Sequence, residues 1–235
     1  MIRIVSPGHD LITDFSDILA MPRVLERCGR TCYKSEDRIC AESAEKFVRM
    51  ICRNHHESVL EHCSISVRIT CSRACSHQLV RHRLASYSQE SQRYVNYGKK
   101  GFEFICPPSV GLGPGDYDKE GRDDGDWYKY PSDGCPVLIP ETRPRNWLEA
   151  CNGSVKGYLY ELAHLGKPED ARYLFPNATK TEVVTTMNLR MWRHVIQERA
   201  LNPRAQWEIR GIFQGIFQDL RKLLPCVFDD LTETV

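Results

Sequence analysis

Between Arg81 and Tyr94 the chain reads Arg-His-Arg-Leu-Ala-Ser-Tyr-Ser-Gln-Glu-Ser-Gln-Arg-Tyr, which packs three arginines, a histidine, two amides, three serines, a carboxylate and two tyrosines into 14 positions. A buried element cannot hold so many polar groups without partners for them. Arginine is a rigid, permanently charged fork suited to phosphate, while Ser, Gln and backbone amides read the edge of a heterocycle by hydrogen bonding. The segment therefore predicts a site for a phosphorylated, ring-bearing ligand. The plainer reading is a solvated helix face whose arginines pair with surface carboxylates, but such faces seldom combine this much Ser and Gln with Arg.

The elements that must position this segment can be read from periodicity. Cys63, Ile65, Val67, Ile69 and Cys71 alternate with Ser64, Ser66, Arg68 and Thr70, as a half-buried strand requires. From Ser72 the period changes, with Cys75/Leu79 and Val80/Leu84 at i, i+4, so the arginine-rich segment should lie at a helix end. Residues 2–5 and Phe102 to Cys106 predict short strands, the latter stopped by Pro107-Pro108. Ala44, Phe47, Val48, Ile51 and Cys52 predict a helix. Residues 107–145 hold 13 of the 28 Gly and Pro residues and six Asp, with no lasting hydrophobic period, and predict a long surface excursion. The last third reads as helical. One helix carries Trp147, Leu148, Cys151, Val155, Tyr158, Leu159 and Leu162. Another is opened by a Thr179-x-x-Glu182 capping box and runs through Val183, Met187, Met191 and Val195. Asn202-Pro203 should open the last helix, with Ile209, Ile212, Phe213, Ile216, Phe217, Leu220 and Leu224 on its apolar face.

Composition bounds the partners. With 32 Lys+Arg against 31 Asp+Glu the net charge is +1, so a general attraction to nucleic acid or membrane has no support and any anion site must be built locally. The 11 cysteines are odd in number and no signal-peptide segment follows Met1, so they predict reduced thiols in a soluble cytoplasmic protein. No apolar run approaches the roughly 20 residues that cross a bilayer. A single domain over 1–235 is the default expectation.

The segment is similar to the signature of flavin-dependent thymidylate synthases: Arg-His-Arg, seven residues, Ser, then Arg-Tyr two positions on. Arg81-His82-Arg83, Ser91 and Arg93-Tyr94 all fit. The family usually has Asn-Glu where this chain has Ser88-Gln89, so either Gln89 replaces a carboxylate with an amide or Glu90 takes over its role. Upstream, His55-His56-Glu57-Ser58-Val59-Leu60-Glu61-His62 resembles the family's His-Glu-(Ser/Thr)-x-x-Glu-His stretch. A zinc helix would need a second His at position 60, where Leu60 stands, and no metal is expected. Downstream, Ala171-Arg172 before Pro176, Asn188-Leu189-Arg190, and Arg199 followed by Ala205-Gln206-Trp207-Glu208 keep the family's order and spacing.

The resemblance implies an α+β fold with an antiparallel sheet flanked by helices, and a homotetramer with shared active sites. It implies conversion of dUMP to dTMP, with methylenetetrahydrofolate as one-carbon donor and NADPH as reductant through bound FAD. By resemblance, Ser58, Arg81, His82, Arg83, Gln89, Asn188, Leu189, Arg190 and His194 would hold FAD. Gln78, Leu79, Val80, Arg81, Gln89, Glu90, Ser91, Gln92, Arg93, Arg172 and Arg199 would hold dUMP. Arg199 resembles the family arginine set against the uracil ring, where a fixed cation would favour ionisation at N3 and activate C5. His194 stands where some members have Asn.

Other chemistries fit less well. Ser91 has no recognisable general base, and neither Cys106-Pro107 nor Pro225-Cys226 sits among cations that would lower a thiol pKa. A flavoprotein acting on another pyrimidine nucleotide would keep nearly all of the site. An RNA-binding module would use Arg81, Arg83 and Arg93 on phosphates and Tyr87, Tyr94 and Tyr97 on bases, but the charge balance argues against it.

Overall fold

A computed structural model describes residues 1–119, 125–132 and 134–232. In chain order the elements begin with β1 (Ile2–Ile4), β2 (Gly8–Leu11), α1 (Phe15–Tyr33), α2 (Ser43–Arg53), β3 (Ser64–Ser72), α3 (Arg73–Leu79), β4 (Ser86–Gln89), α4 (Tyr97–Lys100) and β5 (Glu103–Phe104). They continue with β6 (Gly115–Lys119), β7 (Trp127–Tyr130), β8 (Val137–Leu138), α5 (Thr142–Leu165), α6 (Pro168–Ala171), β9 (Lys180–Asn188), α7 (Leu189–Ile196), α8 (Trp207–Leu223) and α9 (Pro225–Phe228). The α+β class expected from the sequence holds. The chain divides into two compact units: Met1–Pro7, Thr70–His77 and Gln89–Glu182 form the first, and Gly8–Ile69, Gln78–Ser88 and Val183–Val235 the second.

The first unit contains a five-stranded sheet in the order β5-β1-β6-β7-β8. Its pairings are antiparallel except β1 with β5, which run parallel with Arg3 opposite Glu103. Ile2, Ile4, Phe104, Tyr117 and Trp127 pack against Leu148, Cys151 and Val155 of α5, so that helix covers the sheet. The stretch at 107–145 contributes three short strands, β6, β7 and β8, to this sheet; within it, residues 120–124 and 133 lie outside the described residues. Tyr117 and Trp127 are each 1% exposed, and their polar tips are satisfied by Gly113 O at 2.7 Å and by Glu149 Oε1 at 2.8 Å. Two large aromatics anchor this hairpin where no alternating apolar run does.

The second unit contains most of a four-stranded sheet in the order β2-β3-β9-β4, with α1, α2, α7 and α8. β3 alternates as expected, burying Ile65, Val67 and Ile69. The helix expected from Thr179 is instead strand β9, in which Thr181, Val183, Thr185 and Met187 are buried while the residues between them are half-exposed. Val183-Val184-Thr185-Thr186 is a run of β-branched residues that packs well in a pleat and poorly in a helix. The helix begins only at Leu189, where the Asn188 side chain caps Met191 N at 2.8 Å. Likewise α8 starts at Trp207 rather than after Asn202-Pro203, because Gln206 accepts hydrogen bonds from Glu208 N and Ile209 N.

Candidate active site

The second unit holds a cavity of about 850 Å³ walled by the Arg81-His82-Arg83-Leu84 turn, the start of α7 and the turn before β3. The size suits a cofactor or drug-sized ligand. α3 ends at Leu79, and the turn that follows is tied down by Tyr87, whose hydroxyl lies 2.9 Å from Leu79 O and 2.8 Å from His82 O and donates to both. Arg81 and Arg83 are thereby held exposed at the cavity, and neither enters an ion pair among the described residues. Asn188, Arg190 and His194 reach the cavity from β9 and α7. Two unpaired guanidinium groups at one cavity suit the two phosphates of a dinucleotide cofactor.

Part of the lining is ion-paired. Arg190 bonds Glu61 at 2.7 Å and lies 4.0 Å from Glu57. Arg193 bonds Glu57 at 3.0 Å and grips Asp230 with both Nη groups, at 2.6 and 2.7 Å. Glu57 and Glu61, from the stretch at 55–62 that resembles a family motif, line the cavity, and so do Arg193, Glu198 and Leu231, which were not foreseen. Arg190 and Arg193 stand at i, i+3 and Glu57 and Glu61 at i, i+4. The arginine pair shares a face of α7, but no local spacing marks which distant carboxylates it meets.

Arg199 lies on a π-helical turn, Gln197–Leu201, that continues α7. Such turns often mark functional positions. Its Nε donates to His82 Nε2 at 2.9 Å, and the His194 ring meets the His82 ring edge-to-face at 6.2 Å. Burial first, then the Arg199 and His194 charges, push the His82 pKa down to about 4. His82 is thus neutral at ordinary pH, with Nε2 as acceptor and the ring proton on Nδ1.

A stability consequence follows from that shift. Between pH 6.5 and 4 an unfolded His82 binds a proton that the folded one refuses, so stability is full above about pH 6.5 and is lost as pH falls towards 4. We expect this residue to steepen the loss by up to about 1.4 kcal/mol per pH unit between pH 6 and 5. Urea unfolding of wild type and His82→Gln across that range checks it: parallel profiles would refute the assignment.

Not every expected residue reaches the cavity. Ser58 is exposed, Leu189 is buried in the core with its N–H on Cys63 O at 3.0 Å, and neither belongs to the cavity lining. Leu79 is core, Val80 is exposed and Gln78 is half-buried. Gln89 through Arg93 and Arg172 belong to the first unit. There Arg93 Nε bonds the Glu169 carboxylate at 2.8 Å and Arg172 Nε bonds the Glu169 carbonyl at 3.0 Å, so the two arginines converge on one residue. Gln89 donates to Ser76 Oγ at 3.0 Å and Thr181 Oγ1 at 3.3 Å. Glu90 accepts from Tyr97 Oη at 3.0 Å and lies 3.7 Å from Lys180 Nζ. Ser91 Oγ accepts from Arg93 N at 3.3 Å. Gln92 is buried, and its amide nitrogen has no partner among the described residues. Tyr87 and Tyr97 have their hydroxyls tied internally and Tyr97 is buried, so two of the three tyrosines that an RNA-binding reading needs are committed to the fold. Cys226 is buried and its thiol is pushed up to about 12 by burial, which removes it as a nucleophile.

The family model for thymidylate synthase complementing protein matches residues 17–226. The chain belongs to this family. Its relatives are flavin-dependent thymidylate synthases, which are methyltransferases. The enzyme of Pyrococcus furiosus is 34% identical over 197 residues, covering 83% of this chain and 69% of its own. That of Geobacter sulfurreducens is 34% identical over 210 residues, covering 86% and 78%. Solved structures share the fold. The UMP/dUMP methylase PolB from Streptomyces cacaoi, bound with 5-Br dUMP, gives a TM-score of 0.69 at 22% identity over 97% of this chain and 95% of that one. Thymidylate synthase X from Helicobacter pylori, with FAD and dUMP, gives 0.65 at 18% over 95% and 98%. Among the described residues of this family member no helix is long and apolar enough to cross a membrane.

Proposed function

We propose that the protein converts dUMP to dTMP, with methylenetetrahydrofolate as one-carbon donor and NADPH as reductant through FAD, in a cytoplasmic homotetramer. The observation that carries the reading is the cavity bearing Arg81 and Arg83 with free guanidinium groups beside the His82–Arg199 hydrogen bond. Arg81, Arg83, Asn188, Arg190 and His194 would hold FAD, whose flavin supplies the hydride chemistry when bound. Arg81 and Arg83 would neutralise its phosphates. Gln89 to Arg93 and Arg172 would bind dUMP, and the unpartnered Gln92 amide is a donor that a buried ligand oxygen would satisfy.

Arg199 would act on the uracil ring. A fixed guanidinium stabilises negative charge that develops on ionisation at N3, and that charge is delocalised towards C5, which becomes the nucleophile. His82 cannot supply a proton here near neutral pH, being neutral and an acceptor at Nε2.

Two measurements test the reading. The purified protein should show flavin absorption, or acquire it on adding FAD. It should then release tritium from C5-labelled dUMP in the presence of methylenetetrahydrofolate and NADPH, with C5-labelled UMP assayed in parallel. Absence of flavin binding would overturn the cofactor assignment, and release from UMP alone would transfer the reaction to another pyrimidine nucleotide.

A further inference from the structure

We infer that His82 is a positioning residue for Arg199: its Nε2 holds the guanidinium by the Nε–H alone, so that the two NH₂ groups remain for the substrate ring. This rests on the proposed role of Arg199 in dUMP activation. An arginine has five N–H donors and no acceptor. The bond to His82 uses the Nε–H alone, at 2.9 Å, and no other partner of Arg199 is found among the described residues. The four remaining N–H groups form a planar fork suited to carbonyl oxygens on a heterocycle.

The acceptor is itself immobilised. His82 is 8% exposed, its N–H reaches Leu79 O at 3.2 Å and its carbonyl accepts from Tyr87. The ring lines the cavity, with His194 edge-on to it. A histidine expected to touch only the cofactor is therefore also the fixed point for a cation 117 residues further along the chain. An arginine left without that acceptor samples several rotamers, and small misplacements of a catalytic group are costly.

Substitution by two amides separates this role from cofactor contact. The His82→Gln oxygen reaches about where Nε2 stands, whereas the His82→Asn oxygen stops nearer Nδ1. With FAD saturating and its affinity measured for each variant, His82→Asn should weaken dUMP binding by about tenfold and lower kcat/KM by at least as much. His82→Gln should recover most of both. In an Arg199→Ala background His82→Asn should cost nothing further, since the partner is gone. Equal losses for Asn and Gln, or a full additional loss in the Arg199→Ala background, would overturn the inference. A wild-type protein that neither binds dUMP nor releases tritium would instead overturn the functional reading on which it rests.

Discussion

Arg199→Ala is expected to lower tritium release from C5-labelled dUMP by about 10²–10³-fold, the usual loss when one preorganised electrostatic group is removed from a reacting centre. The effect is large because the guanidinium is already oriented: its Nε is committed to His82 at 2.9 Å, and the neutral imidazole offers no competing charge. Water filling the space left by alanine would have to reorganise as charge develops on the ring. Arg199→Lys should retain the cation but lose the fork, so its rate should fall between the two. Flavin affinity is the internal control. Arg199 does not line the cavity, so FAD binding should change by less than about threefold. A large loss of flavin with little change in tritium release would reverse the assignment, making Arg199 a cofactor residue.

The clearest local patterns of this chain survived folding. Strict alternation through Ile65, Val67 and Ile69 became β3, and the change of period at Ser72 became α3, which ends two residues before Arg81. Part of the cavity lining was legible for the same reason: Arg81, His82, Arg83, Asn188, Arg190 and His194 come from short contiguous motifs. Where local signals competed, the weaker one misled. Thr179 and Glu182 have the spacing of a capping box, yet the β-branched residues after them and the hydrogen bonds available beside β3 and β4 produce a strand. The hairpin of β6 and β7 was hidden because its stability comes from Tyr117 and Trp127 against α5 rather than from alternation. α1 was missed because Pro22 interrupts its middle and Phe15 and Leu19 face outward, which blurs the stripe of Ile18, Met21 and Leu25. The ion pairs of the lining were invisible for a different reason. Pairing between Arg193 and Asp230, or between Arg190 and Glu61, depends on distant segments meeting, which no local spacing specifies.

Those ion pairs supply the largest expected stability effect. Arg193 is 5% exposed on α7, and besides Glu57 and Asp230 it donates to Val227 O. Burial works against its charge, but the Asp230 hydrogen bonds and neighbouring carboxylates outweigh that and raise its pKa. For Asp230 burial also works against the charge, and Arg193 outweighs it, holding the carboxyl below its ordinary range. The pair's stabilisation is thus complete above about pH 4 and lost as pH falls through the depressed value. Arg193→Met keeps much of the volume but strands the Glu57 and Asp230 carboxylates and releases the turn after α9, which Arg49 and Arg221 hold only through the more exposed Asp229. We expect a loss of about 2–3 kcal/mol, less than for a fully buried pair because the Asp230 side chain is 35% exposed, against a typical total of about 5–15. Leu231 would move with Asp230, so flavin affinity should fall as well. Adding Asp230→Leu should recover part of the loss, because removing one partner of a partly buried ion pair strands the other. Urea unfolding at pH 7 with a flavin-binding titration decides the matter. A change below about 1 kcal/mol would mean that the hydrophobic contacts of α9, and not this ion pair, hold the end of the chain against the cavity.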